Sequence, residues 1–154
     1  MVKVLFVCLG NICRSPLAEG IFQKLIDQSD MGHRLSCDSC GTSNYHIGEN
    51  PDERSYRNAK ENGVTLNHKG RQLALQDFEE FDYILAMDSS NLADIRKIAP
   101  ENTNAIIKLM REYDADNKGA DVPDPYFGGA DGFQHVFEIL DRSCKTLFEE
   151  LKDQ

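Results

Sequence analysis

A chain of 154 residues, 40% hydrophobic and 28% charged, is long enough to bury a core and fits one folded unit spanning residues 1–154. Its formal net charge of −9 argues against nucleic acid as a partner, since a phosphate backbone rewards a basic surface. The first apolar run, Val4-Leu5-Phe6-Val7, is too short for a membrane span or a signal peptide, so the expectation is a cytoplasmic protein with no membrane partner.

Residues 2–7 (VKVLFV) are short, apolar and β-branched, which predicts a buried strand. A polar turn containing glycine follows. Ser15-Pro16 then opens a helix with Leu17, Ile21 and Leu25 on its apolar stripe and Phe22 and Ile26 beside it. Residues 34–40 predict a second strand. Pro51 starts a helix running to about Asn62, with Gly63 as its C-cap. A third strand covers 81–87 (FDYILAM), and Asp88-Ser89 caps a helix reaching about Ala99. Residues 105–109 (AIIKL) form a fourth strand. The segment 111–130, rich in Asp, Gly and Pro, reads as a long loop in which Asp114, Asp116 and Asp121 are solvated. Phe133, Val136, Phe137, Leu140, Cys144, Leu147, Phe148 and Leu151 mark a last amphipathic helix. Alternating strands and helices predict a single-domain, three-layer, doubly wound α/β fold. Its four-stranded parallel sheet carries helices on both faces in the flavodoxin-like manner. Ligands of such folds sit beyond the carboxyl ends of the strands, which directs attention to the turn after the first strand.

That turn reads Cys8-Leu9-Gly10-Asn11-Ile12-Cys13-Arg14-Ser15. A short loop running into a helix N-terminus aims several backbone N–H groups inward and makes an anion nest. Gly10 and Asn11 are residue types that tolerate the positive φ of a tight curl. Arg14 supplies a planar fork for two phosphate oxygens, where lysine offers only a point charge. Donors that hold phosphate also stabilise a thiolate at Cys8, and the Ser15 hydroxyl can add a hydrogen bond to it. A bare C-x5-R in an arbitrary chain is more often a core cysteine and a surface arginine. Here its position between an apolar strand and a proline-started helix reverses that judgement. Thiolate attack on a phosphate ester also needs an acid for the leaving oxygen. Asp124, held between Pro123 and Pro125 and followed by Tyr126, is the candidate in the long loop.

The stretch VLFVCLGNICRSPLAEG, with DPY far downstream, resembles the low-molecular-weight protein tyrosine phosphatases. DSCGTSNYHIG (38–48), NHKGRQL (67–73) and FDYILAMDSSN (81–91) extend the resemblance over essentially the whole chain. It implies hydrolysis of phosphotyrosine in proteins, with Cys8 as nucleophile, Arg14 as phosphate clamp and Asp124 as general acid and then base. It implies a phosphate-binding loop of Leu9, Gly10, Asn11, Ile12, Cys13, Arg14 and Ser15, supported from behind by Asn11, Ser39 and His68. Leu9, Ile12, Tyr45 and Tyr126 become the walls of a slot for an aromatic ring. Phosphate is the product, and no metal or cofactor is implied. A monomer or weak homodimer is expected.

The chain departs from the family in two places. Phe127 stands where many relatives carry a second tyrosine, and Cys40 where they usually carry a small residue. Cys37 and Cys40 form a C-x-x-C that reads as neither redox nor zinc motif, because residues three apart on a strand face opposite ways. Five cysteines, an odd number, point to reduced thiols. Cys144 reads as structural, and Cys13 as the redox partner that captures an oxidised Cys8 in a disulfide. Three rival readings are an arsenate reductase, an arginine phosphatase of the same fold, and a non-catalytic phosphate-binding module. Residues 81–99 lack the relay cysteines of the first, Ile12 replaces the threonine of the second, and paired nucleophile and acid argue against the third.

Overall fold

Strand β1 (Val2–Cys8) lies at the centre of a parallel sheet in the order β2-β1-β3-β4, beside β2 (Leu35–Gly41) and β3 (Tyr83–Ala86), with β4 (Ile106–Leu109) outermost. The computed structural model describes residues 1–126 and 128–154, Ala130 by its backbone alone; Phe127 lies outside the described residues. The central position explains the apolar run, since Val4, Leu5, Phe6 and Val7 are all fully buried. Alternation splits them between two cores. Val4 and Phe6 join the helices α1 (Arg14–Asp27) and α5 (Ala130–Lys152), where Phe6, Phe22 and Phe148 meet edge to face. Leu5 and Val7 pack on the opposite face with Phe78, Ile84 and Ile95. Both faces are thus covered, as the sequence predicts for a doubly wound fold. In register, Cys8 pairs with Gly41, so both strands end at one level.

Several boundaries differ from expectation. Asp52, not Pro51, caps helix α2 (Glu53–Glu61), its carboxylate accepting from Arg54 N–H at 2.9 Å. β3 starts at Tyr83 because a short unforeseen helix, α3 (Asp77–Glu80), leads up to it. Helix α4 (Ser89–Ile98) is capped by Asp88 as expected. The long loop opens with a 3₁₀ turn, Met110–Tyr113.

One aspartate of that loop is not solvated, and a second is exposed but tethered. Asp114 is 1% exposed, and its carboxylate binds Arg111 at 2.9 Å and Arg142 of α5 at 2.9 and 3.0 Å. Hydrogen bonds from Arg142, working against burial, hold its carboxyl down at about 2. Asp121 accepts from Ser89 N–H at 2.9 Å, tying the loop to the start of α4. Asp116 is exposed, though it stands 3.3 Å from Arg142. Cys37 and Cys40 do point to opposite faces: Cys37 Sγ approaches the Glu19 carbonyl at 3.6 Å, while Cys40 lies in the second core. Cys144 is fully buried against α1. Among the described residues no helix is long and apolar enough to cross a membrane.

Candidate active site

The loop from Cys8 to Ser15 curls because its carbonyls are drawn outward. Cys8 and Leu9 C=O accept from the N–H groups of Thr42 and Ser43, and Ile12 C=O accepts from Asp52 N–H at 2.7 Å. Cys13 C=O accepts from the Ser55 hydroxyl. With those acceptors turned away, amide hydrogens are left to face the centre of the curl, where Asn11 N–H donates to Cys8 Sγ at 3.2 Å. Gly41 permits the close approach: a Cβ there would stand 2.7 Å from Leu9 C=O and 3.1 Å from Asn11 N. Gly10 does not take a positive φ; the curl is turned by Asn11 alone, at φ 58°.

Asn11 holds this left-handed conformation because every polar atom of its side chain is engaged. Its Nδ2 donates to Ser15 Oγ at 2.7 Å and Ser39 Oγ at 3.1 Å. Its Oδ1 accepts from Arg71 N–H at 3.0 Å and His68 Nε2 at 2.7 Å. Ser15 Oγ in turn stands 3.0 Å from Cys8 Sγ, so the network ends on the sulfur. Ser39 donates to Glu19 at 2.6 Å, and His68 Nδ1 is 3.0 Å from the same carboxylate.

Arg14 is 2% exposed. Its Nη1 spends its hydrogens on Asp88 at 2.6 Å and the Val122 carbonyl at 3.0 Å, leaving Nε and Nη2 to grip an anion. Burial works against the guanidinium charge, but Cys8 and Asp88 outweigh it and push its pKa up. Asp124 Oδ2 stands 3.5 Å from Nη2 and accepts Tyr126 N–H through its other oxygen at 3.0 Å. Together these residues line a slot of about 210 Å³ with Cys8 and Cys13 at its floor and Leu9, Ile12, Tyr45, His46 and Tyr126 around it. A buried sulfur, an anion nest, a fixed fork and a carboxylate thus face one apolar cleft.

The family profile "Low molecular weight phosphotyrosine protein phosphatase" matches residues 3–154. This chain belongs to that family. A relative of that description from Schizosaccharomyces pombe is 46% identical over 148 residues, covering 95% of each chain. Among solved structures, a protein tyrosine phosphatase from Entamoeba histolytica superposes with a TM-score of 0.94 at 39% identity, covering 99% of this chain and 98% of its own. A Drosophila arginine phosphatase superposes with a TM-score of 0.90 at 35% identity, covering 97% of each.

The family resemblance does not exhaust the phosphatase site. Asp88 reads in sequence only as a helix cap, yet the same carboxylate accepts from Asn91 N–H at 2.7 Å and orients Arg14. Glu19 sits on a helix face that looks merely polar, and Arg54 shows no signal at all. The Arg54 guanidinium lies over the rings of Tyr126 (5.2 Å) and Phe133 (4.9 Å), fixed by two bonds to Asp52. Glu19, Asp38 and His68 form the one grouping among the described residues whose donor atoms lie close enough to approach a cation together. His68 Nε2 and Glu19 Oε1 are already spent on Asn11 and Ser39, so the cluster serves the loop. Burial pushes the Cys13 thiol up, with Asp52 and Cys8 adding to it.

Proposed function

We propose that this chain, one catalytic domain over residues 1–154, hydrolyses phosphotyrosine in proteins through a phosphocysteine on Cys8, releasing inorganic phosphate. The observation that carries the reading is the convergence on one Sγ of the Asn11 amide at 3.2 Å and the Ser15 hydroxyl at 3.0 Å, within a nest closed by Arg14. The Cys8 thiolate attacks phosphorus, forming the S–P bond as the bond to the phenolic oxygen breaks. Nε and Nη2 of Arg14 and the loop amides hold the charge on the equatorial oxygens. Asp124 gives its proton to the departing oxygen, then takes one from the water that cleaves the S–P bond. The ring of the substrate lies between Leu9, Ile12, Tyr45 and Tyr126. Ile12, apolar and at the slot wall, favours an aromatic ring over a charged guanidinium. In this reading Ser39 and His68 act through Asn11, and Cys13 captures the oxidised nucleophile.

Turnover of phosphotyrosine, phosphoserine and phosphoarginine peptides, side by side and without added metal, tests it. Phosphotyrosine is expected to be hydrolysed far faster than the other two. A preference for phosphoarginine overturns the substrate assignment. Cys8→Ser is expected to abolish turnover while phosphate still binds, and residual hydrolysis in a pure preparation overturns the nucleophile.

A further inference from the structure

We infer that His46 is a substrate-positioning residue, its Nε2 accepting a hydrogen bond from a main-chain N–H of the substrate next to the phosphotyrosine. The inference rests on the phosphotyrosine-protein reading above and adds how the polypeptide around the ring is held.

His46 lines the slot beside Cys8, Leu9 and Tyr45, and its side chain is 27% exposed. Three constraints fix the ring. Its Nδ1–H donates to Glu49 Oε2 at 3.0 Å. Its Cδ2 lies 3.0 Å from where a Cβ on Gly10 would stand, so the ring edge rests on the main chain of the catalytic loop where a side chain would displace it. The backbone beneath it is stapled. Glu49 N–H donates to His46 C=O at 3.1 Å, Gly70 N–H to Glu49 C=O at 2.8 Å, and Gly48 N–H to Gly70 C=O at 2.8 Å. A Cβ on Gly70 would stand 2.3 Å from His46 C=O, so the turn closes only over glycine.

Stability does not account for this arrangement. The Glu49 side chain is 56% exposed, and ion pairs so placed contribute little. What the carboxylate does is select a tautomer: with the proton held on Nδ1, the neutral ring presents a lone pair at Nε2. Among the described residues no hydrogen bond engages that atom. A fixed acceptor at the mouth of the slot suits a donor that every polypeptide carries, the peptide N–H. Tyr45, 71% exposed, covers the substrate ring on the same rim. The slot then recognises the phosphorylated ring, and His46 the chain that bears it.

The test compares wild type, His46→Ala and His46→Gln at about pH 8, above the ordinary histidine range. Substrates are a phosphotyrosine peptide and phenyl phosphate, which has no main chain. The ratio of kcat/KM for peptide over phenyl phosphate is expected to fall about threefold to tenfold in His46→Ala, the loss of one hydrogen bond, and to fall through KM. His46→Gln, with an acceptor oxygen in reach, is expected to recover most of it. In peptides N-methylated one position at a time, one position is expected to cost wild type but not His46→Ala. An unchanged ratio, equal loss on both substrates, or methylation costs that ignore residue 46 overturn the inference. A wild type that hydrolyses phenyl phosphate but no phosphotyrosine peptide overturns the underlying reading, and this inference with it.

Discussion

At the scale of single residues, the roles of Asp124 and Cys13 are separable by chemistry. A general acid matters most when the leaving oxygen is strongly basic. Asp124→Ala is therefore expected to lose far more rate on phenyl phosphate than on nitrophenyl phosphate, steepening the dependence on leaving-group basicity. A uniform loss across a series of substituted phenyl phosphates contradicts the role. Arg14→Lys is expected to lose nearly as much as Arg14→Ala, because Asp88 and Val122 already occupy Nη1 and only a fork leaves two donors for phosphate. Recovery of most activity with lysine contradicts this. Peroxide converts the Cys8 thiolate to a sulfenic acid. Cys13 is then expected to attack that sulfur, giving up its proton as the hydroxyl leaves as water, and to form a disulfide. Because burial keeps Cys13 a thiol at rest, capture waits on Cys8 being oxidised first. Dithiothreitol is expected to restore peroxide-treated wild type but not Cys13→Ser. Equal recovery, with no 8–13 disulfide peptide by mass spectrometry, overturns it.

At the scale of elements, the loop before α5 is held by a pair that composition hides. Asp114 is depressed from an ordinary 3.8 to about 2, so it stabilises the fold at neutral pH, and that contribution is lost as pH falls from about 4 through about 2. Asp114→Asn is expected to cost about 2 kcal/mol or more near pH 7, by denaturant unfolding, with the gap to wild type closing toward pH 2. A gap that persists at the acid limit contradicts the assignment. The same loop shows what a sequence can and cannot reveal. Strands β1 and β3 are legible because burial on both faces demands apolar runs. The C-x5-R-S turn is legible because its chemistry is packed into eight consecutive residues. Asp114, 28 residues from Arg142, and Asp88, 74 residues from Arg14, look like any loop aspartate or helix cap. Their partners arrive through tertiary contact, which leaves no period or spacing behind. His46 sits within the NYHIG run, yet only the structure puts its ring against Gly10.

At the scale of the whole molecule, a net charge of −9 surrounds a site that binds anions. Arg14 and the loop amides supply positive potential inside the site, while the net negative charge disfavours acidic substrates at a distance. A phosphotyrosine flanked by basic residues is therefore expected to react faster than one flanked by acidic residues at about 10 mM salt. The difference should shrink at about 200 mM, as the screening length falls from about 30 Å to under 10 Å. A preference unaffected by salt would place the selectivity in direct contacts instead.

The anchoring of Arg14 also sets an order of events in synthesis. Cys8 and Arg14 are made before the groups that support them: the loop leans on Ser39, His68 and Arg71, and the guanidinium on Asp88 and Val122. At about 5–20 residues per second, roughly 6 to 23 seconds separate the making of Cys8 from that of the Val122 carbonyl that orients Arg14. Through that interval a nascent chain carries the cysteine without the means to use it. The fork is oriented only when the segment carrying Val122 arrives, and that segment brings Asp124 with it.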